Sequence, residues 1–344
     1  MDAIPIATQP PDGAQVSADI PRLIVVGASV GGVAALSSLA ASLPATFRAP
    51  VLMVLHIGSH PSILPELLAA RGALPVSHAA DGDPIVSGHI YVAPADHHML
   101  VEEGRIRLTR GPKEHHTRPA IDPLFLSAAL CYGPAVVGVV LTGRLDDGTA
   151  GLQAIKACGG TAVVQDPADA FEPDMPSSAM KNVEVDHCLP VAKIGELLNS
   201  LASAPVLGST ARIAAQPEPL VHELELLMGK GDPVEHLKAV ARPSPFVCPD
   251  CKGGLWQLDG EAPVRYRCHT GHAFTLKTLQ HTLTETMDEA LWGALRALQE
   301  QAVLLDMVAL VHRREGEDGE ALKVETIRRG LDDQARRLRE LVEK

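Results

Sequence analysis

Five continuous apolar runs recur through the first two hundred residues: Leu23–Gly27, Ala49–Leu55, Gly88–Ala93, Ala135–Leu141 and Thr161–Gln165. Each is strand-length and lacks polar alternation, so each reads as a strand buried on both faces. Helical patterns fall between them. One runs to about Leu43, Pro61–Ala70 is opened by its proline, and Asp122–Cys131 and Gly148–Ala157 follow, with a further helix starting at Pro176–Lys181. Arg105–Thr109 adds a short strand. Strand and helix in alternation predict the α/β class, a doubly wound, mainly parallel sheet that ends near Leu201.

Around this unit the composition shifts. Residues 1–20 lack apolar periodicity and read as a disordered tail, so the α/β domain is expected over 21–201. Residues 202–244 open with Ala, Pro, Ser and Gln and read as a linker region. A compact Cys/His segment occupies 245–275, and a helical tail, broken by a charged stretch at Glu315–Glu320, fills 276–344. Leu279, Leu283, Met287, Leu291, Leu295, Leu298 and Val303 form an apolar stripe at helical spacing. It is expected to bury against a second helix from about Leu322, with homodimerisation or docking on a partner coiled coil as the sharper readings.

The formal net charge of −12 argues against nucleic-acid binding, which needs Lys and Arg on phosphates. No basic stretch leads an apolar run at the N-terminus, and no run approaches membrane-spanning length. The expectation is a cytoplasmic protein without direct membrane insertion. In a reducing compartment, the late cysteines point to metal rather than disulfide. Cys248, Cys251 and Cys268 with His272 have the spacing of a zinc ribbon, His269 being the weaker choice for the fourth ligand. Four protein ligands leave no open position, so the zinc is expected to be structural.

Three strand ends carry chemistry. Gly27-Ala28-Ser29-Val30-Gly31-Gly32 turns from strand into helix. A serine there projects above the sheet, with the N–H groups that follow it free to meet an oxyanion. Glycine-rich turns of this kind also bind phosphate, although this one matches neither the dinucleotide fingerprint nor the P-loop. His56 ends the next strand, and Asp146 and Asp147 follow the strand that ends at Leu141. A serine, a histidine and an acid at one sheet edge can form an acyl-transfer set; either aspartate could instead be a helix cap.

Residues 22–200 resemble the catalytic domain of chemotaxis protein-glutamate methylesterases, the CheB family. The matching stretches are Gly27–Gly32, Leu55–Ile57, Asp81–Asp83, Val92–Met99, Arg118–Phe125, Val140–Gly143 with Asp147-Gly148, and Met175-Pro176. The resemblance implies hydrolysis of glutamyl methyl esters on chemoreceptor cytoplasmic helices, with glutamine deamidation as a second activity. It places the nucleophile on Ser29, the base on His56 and the acid on Asp147, with backbone amides of Val30 and Gly31 at the oxyanion and no cofactor for catalysis. Arg144-Leu145 stand where the family commonly has Met-Gly, in a loop lining the site. Only about twenty residues precede the first strand, so a stand-alone form without a receiver domain is expected, regulated in trans if at all. His97 and His98 fall in a matching stretch and are read as shaping the site, whereas His115 and His116 read as exposed or structural. The alternatives are a non-catalytic adaptor of a signalling complex, built on a degenerate esterase domain, and a nucleotide-binding α/β protein.

Overall fold

The computed structural model describes residues 22–102, 104–204, 216–260 and 262–343. The tail read at 1–20 and most of the Ala/Pro/Ser-rich start of the expected linker lie outside them. The chain forms two compact units that part after Thr278.

The first unit begins with β1 (Leu23–Ala28), α1 (Gly32–Ser42), β2 (Val51–Leu55), α2 (Leu64–Ala69), β3 (Val76–His78) and β4 (Ile90–Val92). A hairpin of β5 (His98–Glu102) and β6 (Arg105–Thr109) leaves the main sheet, so Arg105–Thr109 is a strand but not one of the parallel set. Next come α3 (Ile121–Tyr132), β7 (Val136–Val140), α4 (Thr149–Ala157), β8 (Thr161–Gln165), α5 (Asp174–Asn182), β9 (His187–Leu189) and α6 (Val191–Ser203). The sheet order is β3-β4-β2-β1-β7-β8-β9, and every pairing is parallel.

The apolar runs have a simple cause. Leu23 and Val25 of β1 join one core with Leu124, Phe125 and Leu152 of α3 and α4. Ile24 and Val26, pointing the other way, join a second core with Leu36, Leu39, Ile194 and Leu198 of α1 and α6. Neither side of the strand meets water, so neither tolerates a polar residue. Each such side chain contributes about 1.5–3 kcal/mol by burial. The chain winds outward from β1 in one direction and returns to β7 on β1's other side. The crevice beyond the carboxyl ends of β1 and β7 is therefore the topological switch point, where sites form in sheets of this type.

Residues 202–244, expected to be a linker, are folded where the structure describes them beyond α6. They carry α7 (Glu218–Met228) and α8 (Pro233–Val240), and Ala241 already starts the next sheet. Asp232 caps α8 by accepting the Val234 and Glu235 N–H groups, and Leu226, Leu237 and Val240 are buried. A short, capped helix pair is easily hidden beside a Pro- and Ser-rich stretch. The Cys/His segment is a four-stranded antiparallel sheet of β10 (Ala241–Val247), β11 (Gly254–Leu258), β12 (Arg265–Cys268) and β13 (Ala273–Thr275).

Two helices make up the second unit: α9 (Leu276–Arg314), which begins in the first unit, and α10 (Asp318–Val342). They join at a tight turn through Gly316 and exchange the ion pairs Arg328–Asp306 and Arg313–Glu325. The apolar stripe is only partly covered: Leu279 and Leu295 are buried, but Met287 and Val303 are exposed, as are Met307 and Leu310 further along α9. No described helix is long and apolar enough to cross a membrane.

Candidate active site

Ser29 follows β1 at the switch point, and its N–H donates to the Thr142 carbonyl beyond β7. Val30 and Gly31 make the turn into α1. Gly31 has φ +78, and a Cβ there would stand 2.7 Å from Cβ of Phe171, so glycine is required on both counts. The Thr142 hydroxyl donates to the Val30 carbonyl at 2.9 Å, tying the turn to the loop after β7. Gly143 is equally confined, since a Cβ would meet Met175 Sδ at 2.1 Å and Ser29 Cβ at 2.7 Å.

His56 follows β2, the other neighbour of β1. Its Nδ1 lies 3.1 Å from Ser29 Oγ, and its Nε2 lies 2.7 Å from Asp147 Oδ2. An ionised Asp147 accepts the Nε2–H, which leaves the Nδ1 lone pair facing the serine hydroxyl. The structure thus brings Ser29, His56 and Asp147 into one hydrogen-bonded chain.

Neither aspartate caps α4, whose N-cap is Gly148. Asp147 caps a different helix: its carboxylate accepts the Ile121 and Asp122 N–H groups at the start of α3 at 2.7 and 3.0 Å, and Gly148 N–H at 2.8 Å. Asp122 returns the bond by accepting Gly151 N–H in the first turn of α4 at 2.6 Å. Asp146 points elsewhere and accepts from the Thr275 and Thr278 hydroxyls.

Of the two readings of His115, exposed or structural, the first does not hold: its side chain is buried beside these carboxylates. Its Nε2–H donates to Asp122 Oδ2 at 2.8 Å and lies 3.5 Å from Asp147 Oδ1. Burial opposes its charge, but Asp147, Asp122 and Asp146 outweigh that and raise it to about 10, an imidazolium at neutral pH. Burial and the Asp147 charge push Asp122 up to about 6 against the pull of His115. Burial also penalises ionised Asp147, yet His115, the hydrogen bond from His56 and the Ile121 N–H hold its carboxyl well below the usual range.

The other histidines have structural partners. His98 is buried; its Nε2–H donates to the Pro112 carbonyl and its Nδ1 accepts Ala120 N–H, while burial lowers its basicity. His97 Nδ1 bonds the Ala95 carbonyl, and His116 Nδ1 bonds Asp250. Arg144 is exposed and pairs with Glu172, at 3.3 Å, on the segment that leads to Met175.

In the four-stranded sheet, Cys248, Cys251, Cys268 and His272 place their ligand atoms within 4.8 Å of one another. Cys251 Sγ and Cys268 Sγ are 3.6 Å apart, and Cys268 Sγ lies 3.5 Å from His272 Nδ1. A tetrahedral zinc with thiolates at about 2.3 Å and imidazole at about 2.0 Å spaces its ligands by about 3.5–3.8 Å, so the donor set fits that ion. His269 stands apart from the group, its ring against Gly253. His222, Glu225 and His236 also converge, but the two Nδ1 atoms, 2.8 Å apart, are at hydrogen-bond distance rather than ligand spacing.

A doubly wound parallel sheet with a serine, a histidine and a carboxylate meeting at its switch point defines a hydrolytic enzyme of the α/β class. Comparison with known proteins narrows this. Residues 24–198 match the family described as CheB methylesterase, and the chain belongs to it and so to the carboxylic ester hydrolases. A Leptospira interrogans protein, named as a candidate protein-glutamate methylesterase/protein-glutamine glutaminase, is 38% identical over 180 residues, covering 51% of this chain and 91% of its own. Protein-glutamate methylesterase/protein-glutamine glutaminase 2 of Anaeromyxobacter dehalogenans is 38% identical over 191 residues, 55% of this chain and 56% of that one. The crystal structure of the Thermotoga maritima CheB methylesterase catalytic domain is similar with a TM-score of 0.51 at 32% identity, over 52% of this chain and 98% of that chain.

Proposed function

We propose that the chain hydrolyses glutamyl methyl esters on the cytoplasmic helices of methylated chemoreceptors or receptor-like proteins, through an acyl-enzyme on Ser29. The observation that carries this reading is the continuous chain from Ser29 Oγ through His56 to Asp147, at 3.1 and 2.7 Å. His56 Nδ1 takes the serine proton as Oγ attacks the γ-carbonyl carbon. Asp147 fixes the imidazole's tautomer and stabilises its cation. Backbone N–H groups of Val30 and Gly31 receive the oxyanion. His56 returns the proton to the leaving methoxide, methanol departs, and water activated by the same imidazole hydrolyses the acyl-enzyme. A glutamine side chain would follow the same course with ammonia leaving, which makes deamidation the second activity. The relay is complete in all three members, which favours an enzyme over an adaptor.

All three reacting residues fall within 21–201, which we take as the methylesterase domain. Cys248, Cys251, Cys268 and His272 would hold a structural zinc, and catalysis needs no cofactor. The exposed Met287, Val303, Met307 and Leu310 favour a homodimer through α9 and α10. The acidic chain, without a described membrane-crossing helix, suits a cytoplasmic enzyme.

Covalent trapping tests the nucleophile. A fluorophosphonate should phosphonylate Ser29, found by mass spectrometry of its peptide. His56→Ala should slow that labelling by on the order of a hundredfold or more, since the base contributes at least this much. Equal labelling in the variant, or adducts elsewhere, would remove Ser29 and His56 from the mechanism.

A further inference from the structure

The Cys/His sheet reaches the proposed relay through His115. The parallel bridge between Glu114 and Ala273 joins the loop before α3 to β13, and His115 N–H donates to the Ala273 carbonyl at 2.8 Å. Beside this bridge, Arg267 of β12 pairs with Glu114, both almost wholly buried. Thr275 at the end of β13 and Thr278 just beyond it donate to Asp146 Oδ1 at 2.8 and 3.1 Å, and Lys277 donates to Asp174 at 2.8 Å. His115 itself has φ +52, a conformation a non-glycine residue keeps only when its surroundings impose it. What imposes it here is β13 on the backbone side and Asp122 on the side-chain side.

We propose that the Cys/His sheet is a working part of the esterase: through β13 it holds His115 against Asp122 and Asp147, and so keeps the acid of the relay in place behind His56. This deepens the function proposed above and rests on it. His115 touches neither substrate nor reacting atoms; it is a positioning residue. Its cation lies between two buried carboxylates that would otherwise repel one another: Asp147 accepts from the first turn of α3, where Asp122 sits, and Asp122 accepts from the first turn of α4, which follows Asp147. Removing His115 lets that pair of caps shift. A displacement on the order of 1 Å at a relay member is enough to slow the chemistry by about a hundredfold without touching substrate binding. Because Cys248, Cys251, Cys268 and His272 tie the first strands of the sheet to the turn that leads into β13, the same loss should follow when zinc is withdrawn from them.

The test uses the full chain. His115→Ala should lower kcat by on the order of 10- to 100-fold with KM changed less than about twofold. It should also move or broaden the low-field proton NMR resonance of His56 Nε2–H against Asp147, a signal that a purely structural loss in a protein still folded would leave alone. Should His115→Ala not fold, His115→Asn, which keeps a donor without the imidazolium, carries the test. Stripping zinc with a chelator should reproduce both effects in the wild type, and adding zinc should reverse them. A His115 variant that keeps kcat and the resonance overturns the positioning role. A chain that is active and unaltered after losing zinc, or that binds none, overturns the coupling to the sheet. The NMR arm needs no substrate, so an inactive wild type with an intact resonance would count against the methyl ester reading alone.

Discussion

Asp147 has two tasks at once, which sets the outcome of changing it. It accepts from His56 and also from three backbone N–H groups around α3 and α4. Asp147→Asn should therefore lower kcat by on the order of 10³- to 10⁴-fold, because the amide supports the wrong imidazole tautomer. It should also cost about 1–3 kcal/mol of stability, read by urea denaturation, because the amide offers one acceptor where both carboxylate oxygens accept buried N–H groups. His115 gives a pH signature of opposite sense to that of a carboxylate. Its pKa is raised from about 6.5 to about 10 by the aspartates, so the folded state binds the proton more tightly. The stabilisation is full below pH 6.5 and is lost as pH rises through 10. The wild type's melting temperature should fall across that window, and that of a folded His115→Gln variant should fall less; parallel curves would show that His115 is uncharged. Ser29, His56 and Asp147 stand out in the sequence because each ends or follows a recognisable strand. His115 has no such marker: it is one of two adjacent histidines in a polar loop, and its burial depends on β13, some 160 residues later.

At the scale of elements, the five inner strands of the parallel sheet were legible as apolar runs, and its two edge strands were missed. β3 (Val-Ser-His) and β9 (His-Cys-Leu) are three-residue edge strands only partly covered, so neither burial nor period marks them. α7 and α8 were hidden by the linker-like composition that precedes them. The loop after β7 was read for Arg144, whose side chain lies in solvent; the tighter constraint is one residue earlier. Gly143→Ala forces a methyl between Met175 and the serine. It should destabilise the chain by about 1–3 kcal/mol, as overpacking does, and displace Ser29 from His56. A melting curve and esterase rate both equal to wild type would mean that the loop has slack the packing does not show.

For the molecule as a whole, the gathering of Cys248, Cys251, Cys268 and His272 was legible from spacing alone, but the attachment of their sheet was not. The buried pair Arg267–Glu114 and the half-buried pair Arg265–Glu223 join it to the loop before α3 and to α7, contacts that no local pattern encodes. The donor set is chemically suited to zinc: three thiols and an imidazole present their ligand atoms within 4.8 Å of one another. Purified protein should carry one zinc per chain by elemental analysis, and Cys268→Ser should lose it together with several degrees of melting temperature. Full zinc content in that variant would place the ion elsewhere.

The central claim is that Ser29 cleaves glutamyl methyl esters. The most direct measurement is methanol release from methylated chemoreceptor cytoplasmic fragments, comparing the wild type with Ser29→Ala. The wild type should release methanol steadily, and the variant none above background. Release that survives the loss of Ser29, or a wild type that phosphonylates at Ser29 yet frees no methanol from several receptors, would contradict it.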